Sequence, residues 1–183
     1  MQAIENAKFK VEEASYFLRL MRRVEKTRVP LLEGIEATQE FSHLYSAFLN
    51  SCYSAIRQLK GNTKVKQAAT TFMKANYEYY GPGENGGVRT QSVYFKPYKA
   101  RHSGYVAPPG DKVILLFDSE PIDEQNGAAL NLDLESYFYD SPKNPQNPIT
   151  AKCAVHLSKI HSLIQECQTF AQQGFNQTPA STT

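Results

Sequence analysis

The chain has 183 residues, 41% of them apolar and 21% charged, an ordinary composition for one folded domain with a real core. A net charge of +2 is too mild to mark a nucleic-acid binder by bulk electrostatics, so any basic surface must be local. No stretch approaches the roughly 20 apolar residues that span a bilayer, and Met1 to Lys10 holds no apolar run. Neither a membrane helix nor a signal peptide is expected, and the default location is cytoplasmic.

From Ile4 to Glu25 the apolar residues Ile4, Ala7, Val11, Ala14, Leu18 and Met21 recur at three- and four-residue steps, with Phe17 and Val24 widening the stripe. That period predicts one amphipathic helix whose charged face is solvated. Pro30 can open a second helix and Gly61 can close it. Between them Phe41, Tyr45, Phe48, Cys52, Ala55 and Leu59 form a seam flanked by the small residues Ala47, Ser51 and Ser54. A third helix is expected from about Lys64 to Tyr80, with Val65, Ala69, Phe72, Asn76 and Tyr79 on one stripe and Gly81-Pro82-Gly83 as its stop. A fourth begins near Thr150, a suitable N-cap after Pro148, and carries Cys153, Leu157, Ile160, Ile164, Cys167 and Ala171 to Gly174.

Between the third and fourth helices the period falls to two. Leu132 to Tyr139 alternates apolar and polar residues, Val113 to Phe117 reads as a buried strand, and Ser92 to Tyr98 as an edge strand limited by Pro97. Gly83-Glu84-Asn85-Gly86-Gly87 reads as a turn not followed by a helix. The fold class expected is therefore mainly α: a four-helix bundle with a small antiparallel sheet inserted at about 84–148. Residues 1–174 form one domain on this reading, and 175–183 a disordered polar tail.

The charges of the insertion are segregated. Val88 to Gly110 holds Arg89, Lys96, Lys99 and Arg101 with no acid, interleaved with Tyr94, Tyr98, His102 and Tyr105. From Asp111 to Asp140 acids outnumber bases eight to one. Cations beside stackable rings suit a polyanion such as single-stranded RNA or a nucleotide, because the cations hold phosphates and the rings accept bases. Opposite charges facing each other across neighbouring strands are the plainer account.

Little else carries chemistry. Cys52, Cys153 and Cys167 lie in helical patterns without a CxxC pair and read as buried free thiols. His156 and His161 are five residues apart, on different sides of a helix, so they do not pair as metal ligands, and His43 stands alone. Asp118, Glu120, Asp123 and Glu124 lack the order of a calcium loop. No phosphate-loop, zinc-protease or nucleophile-elbow string occurs. No catalytic residue, metal or cofactor is assigned.

Ala7-Lys8-Phe9 opening an amphipathic helix, then Leu44-Tyr45-Ser46-Ala47-Phe48-Leu49 and Ser54-Ala55-Ile56, resembles the opening two helices of bacterial HEPN-like proteins, over about a third of the chain. The resemblance implies a bundle of four or five helices, often dimeric, whose RNase members use an arginine followed four to six residues later by a histidine. The arginine would polarise the phosphate and the histidine would handle the 2′-hydroxyl proton. Here no arginine stands at that distance before any histidine; Lys96 precedes His102 by six. The expectation is a non-catalytic HEPN-like binding protein, a homo-oligomer through its helices or the holder of a partner on its sheet. The alternative is an RNase or other nucleic-acid-processing enzyme of a toxin-like system using Lys96, Arg101 and His102.

Overall fold

A computed structural model describes residues 2–94, 99–106, 113–117, 134–139 and 148–173. It is mainly helical: α1 Gln2–Thr27, α2 Ala37–Lys60, α3 Lys66–Ala75, α4 Tyr77–Tyr80, α5 Val88–Tyr94 and α6 Ile149–Gln173. Three strands, β1 Arg101–Val106, β2 Val113–Phe117 and β3 Leu134–Tyr139, lie in the order β2-β1-β3 with antiparallel neighbours. The tail at 175–183 lies outside the described residues. No described helix is long and apolar enough to cross a membrane.

The chain divides into two compact units, and α1, α2 and α6 each contribute residues to both. The first comprises Met1–Tyr16, Ala47–Pro97 and His156–Thr183. Its core is built from Ile4, Ala7, Val11 and Ala14 of α1, Phe48, Leu49, Cys52, Ala55, Ile56 and Leu59 of α2, and Leu157, Ile160, Leu163, Ile164 and Cys167 of α6, all buried. The apolar seams read from the sequence are thus core faces, because a 3.6-residue period keeps one stripe out of water. The second unit comprises Phe17–Ser46 and Tyr98–Val155. Phe41 stacks on Phe138 of β3, ring centroids 4.0 Å apart, among buried Leu18, Met21, Val24, Tyr45, Tyr139, Ile149 and Cys153.

Four boundaries differ from the sequence reading, each for a local reason. Pro30 does not open α2. Arg28 turns left-handed at φ 58 after the end of α1, Gly34 does so at φ 81, and the Glu40 carboxylate accepts the backbone N–H of Leu31, so residues 28–36 form a turn. The third helix breaks at Asn76, whose backbone sits at φ −113, ψ 51. The side-chain amide of Asn76 donates to the Phe72 carbonyl at 2.8 Å, the local bond by which Asn competes with helix. Thr150 does not cap α6. Its hydroxyl donates to Glu25 instead, and the Pro148 carbonyl accepts the first-turn N–H of Lys152.

The fourth difference matters most for the site. Residues 88–94, which include the start of the expected edge strand Ser92–Tyr98, are helical, and residues 95–98 lie outside the described residues. The glycine-rich turn therefore does lead into a helix. A Cβ on Gly86 would stand 2.2 Å from the Gly81 carbonyl oxygen, and one on Gly87 2.2 Å from the Tyr79 carbonyl carbon. Only glycine permits that approach. The Gly87 N–H donates to the Gly81 carbonyl at 2.9 Å, which ties the start of α5 to the end of α4.

Candidate functional site

Of the residues singled out by charge and ring content, Arg89 and Tyr94 stand on α5 in the first unit. Lys99 is exposed just ahead of β1, and Arg101, also exposed, opens that strand in the second unit. The register sets Arg101 opposite Tyr139, and His102 opposite Phe117 and Phe138, rather than opposite acids. Lys96 and Tyr98 lie outside the described residues, as do Asp118, Glu120, Asp123 and Glu124.

Arg89 and Tyr94 are brought together. The Nε–H of Arg89 donates to Asn50 Oδ1 of α2 at 3.1 Å, and the guanidinium lies 3.9 Å from the Tyr53 ring centroid and 5.5 Å from that of Tyr94. A cation over a ring face is attracted by the ring quadrupole, by about 0.5–2 kcal/mol according to how far water is excluded. Arg89 and Tyr53 are half-buried, whereas Tyr94 is 67% exposed. No carboxylate among the described residues lies within ion-pair distance of Arg89. α5 itself is fixed by Gln91, whose side-chain amide donates to the Gly86 carbonyl at 2.6 Å.

Behind this corner lies a buried polar cluster. His156 of α6 is 1% exposed, and its Nε2 is 2.6 Å from the Tyr80 hydroxyl. Its ring stacks on Tyr79 with centroids 3.8 Å apart, and Phe72 adds a tilted contact at 6.0 Å. Burial pushes the His156 pKa down to about 3, and the Lys159 charge acts in the same direction. The ring is neutral at physiological pH and cannot serve as a proton donor there. Its Nδ1 has no hydrogen-bond partner, nor has the buried Oδ1 of Asn76. Either neutral tautomer leaves the ring one polar atom short. Burial likewise pushes the Tyr80 hydroxyl up, with Cys52 and Tyr79 adding and the Arg89 charge opposing.

In the second unit the half-buried carboxylate of Glu25 is held by two donors. Glu25 accepts the Phe138 N–H at 3.0 Å on Oε1 and the Thr150 hydroxyl at 2.6 Å on Oε2. Burial raises its pKa, against the lowering effect of Thr150, Phe138 and the Arg22 charge. Both oxygens are engaged by structural donors, so the group acts as a clasp between the end of α1, β3 and the start of α6. His43 and His161 are exposed, and the three cysteines are buried and form no disulfide. Among the described residues no cluster of His, Cys, Asp and Glu could hold a metal ion.

Sequence reasoning named Arg89 and Tyr94 but not their supports Asn50 and Tyr53, which come from a helix 39 residues earlier. It separated His156 from His161 but had no signal for the Tyr80 contact, 76 residues away in the chain. Comparison with protein-family models, curated proteins and solved structures gives no match.

Proposed function

We propose that the chain is a non-catalytic HEPN-like binding protein that associates with a second copy of itself through the outward faces of its long helices. On this reading α1, α2, the α3–α4 pair and α6 form the four-helix bundle, and the strands are its insertion. The observation that carries the reading is the set of large apolar side chains turned to solvent in the first unit. Phe9 is 66% exposed, Tyr16, seven residues on along α1, is 51%, and Phe170 of α6 is 60%. A seven-residue step returns a side chain to the same helix face, so the two α1 rings belong to one stripe.

Fully burying a phenylalanine is worth about 1.5–3 kcal/mol, and with Phe9 66% exposed a symmetric pair of these side chains supplies about 2–4 kcal/mol. Association costs at least ~4 kcal/mol in lost freedom, so Phe9 alone does not hold a dimer and Tyr16 and Phe170 must contribute. Sedimentation velocity over a wide concentration range tests this. The native chain is expected to show a concentration-dependent dimer and Phe9→Glu a monomer. A native chain that stays monomeric at every concentration overturns the proposal.

A further inference from the structure

The corner at α5 goes beyond self-association and does not depend on it. Arg89 is a half-buried guanidinium with one of its five N–H donors committed to Asn50 and one face against Tyr53. No described residue accepts from its Nη groups, and no described carboxylate neutralises it. A cation partly withdrawn from water without a counter-ion is favoured by an incoming anion. The guanidinium fork fits the paired oxygens of a phosphate, and Asn50 and the rings have already fixed its orientation. Beside it Tyr94 holds an exposed ring 5.5 Å from the same cation, close enough for one ligand to touch both.

We propose that Arg89 and Tyr94 form a nucleotide site, in which the guanidinium takes a phosphate and the Tyr94 ring stacks on the attached base. Asn50 and Tyr53 are positioning residues that act through Arg89. The site uses no histidine and no arginine–histidine spacing. The same chemistry is offered by a free nucleoside monophosphate and by one unit of a single-stranded RNA.

Fluorescence anisotropy of the full chain with labelled oligoadenylate, beside calorimetric titration with adenosine 5′-monophosphate and with inorganic phosphate, tests the proposal. Binding of the oligonucleotide is expected at low ionic strength. Tyr94→Ala should weaken it about tenfold or more, the scale of one base stacked on a ring. Arg89→Gln should lower the slope of log affinity against log salt by about 0.7, one phosphate contact on a single strand. Tyr94 is too exposed for its replacement to unfold the chain, which keeps the test decisive if Arg89→Gln is unstable. Binding of the monophosphate with the same sensitivity to Tyr94→Ala assigns a mononucleotide site; binding of the oligonucleotide alone assigns an RNA strand site. No binding of either ligand at low salt, binding that both folded variants leave unchanged, or inorganic phosphate binding as tightly as the monophosphate overturns the proposal.

Discussion

Acid should destabilise this fold through one side chain. With the pKa of His156 lowered to about 3 by burial, from an ordinary value of 6.5, the unfolded chain binds a proton between those two pH values and the folded chain does not. Stability then rises with pH across that window and is lost as pH falls below 6.5, at about 1.4 kcal/mol per pH unit. Between pH 7.5 and pH 5 the loss amounts to about 2 kcal/mol, a large share of the 5–15 kcal/mol typical of a domain. Glu25 acts in the opposite sense, because a raised carboxyl pKa lets the folded chain take its proton first. Urea unfolding of the native chain and of His156→Phe at both pH values isolates the histidine, since Glu25 contributes equally to the two proteins. His156→Phe loses the Tyr80 contact and is weaker at neutral pH, but its stability should fall by about 2 kcal/mol less on going to pH 5. Parallel pH profiles for the two proteins would refute a neutral, desolvated His156.

Two further substitutions probe the clasp and the glycine turn. Glu25→Gln keeps one acceptor but turns a donor toward the Thr150 hydroxyl or the Phe138 N–H, so a loss of about 1–3 kcal/mol is expected in denaturant melts. Thr150→Val should cost less, and the double variant should fall short of the sum because the two groups share one bond. Gly87→Ala drives a methyl into the Tyr79 backbone and should cost about 1–3 kcal/mol or more. Because that contact also places α5, the variant should weaken ligand binding at Arg89 while leaving the sedimentation of the folded chain unchanged.

What the sequence made legible follows the range of the forces involved. The stripes of α1, α2 and α6 could be read because burial of every third or fourth side chain is written locally; Ile4, Phe48, Ile160 and their fellows are all buried. The breaks were harder. Arg28 adopts a left-handed turn usually given to glycine, and Asn76 ends a helix with a stripe running through it. The end of α5 overlaps the expected edge strand Ser92–Tyr98, where Val93 and Phe95 alternate with Tyr94 and Lys96, a local strand preference that tertiary context outweighs over residues 92–94. Here the context is the packing of Gly86 and Gly87 against the end of α4. The site divides in the same way. Charge segregation pointed to Arg89 and Tyr94, whereas Asn50, Tyr53 and the Tyr80–His156 pair depend on contacts distant in the chain.

The polar groups withdrawn from water differ in how completely the chain answers them, and that difference directs attention to α5. Glu25 has a donor on each oxygen, which leaves little capacity for a ligand. His156 is held neutral between Tyr80 and Tyr79, with its missing bond sealed inside the core, so its shortfall destabilises the fold without offering anything to solvent. Arg89 differs from both: its charge is permanent, it is only half-buried, and its positioned fork keeps donors in reserve beside an exposed ring. A buried deficit is a cost that packing must offset, whereas a deficit at the surface can be met by an incoming group. Of the three, Arg89 alone is placed to convert that unmet bonding into affinity.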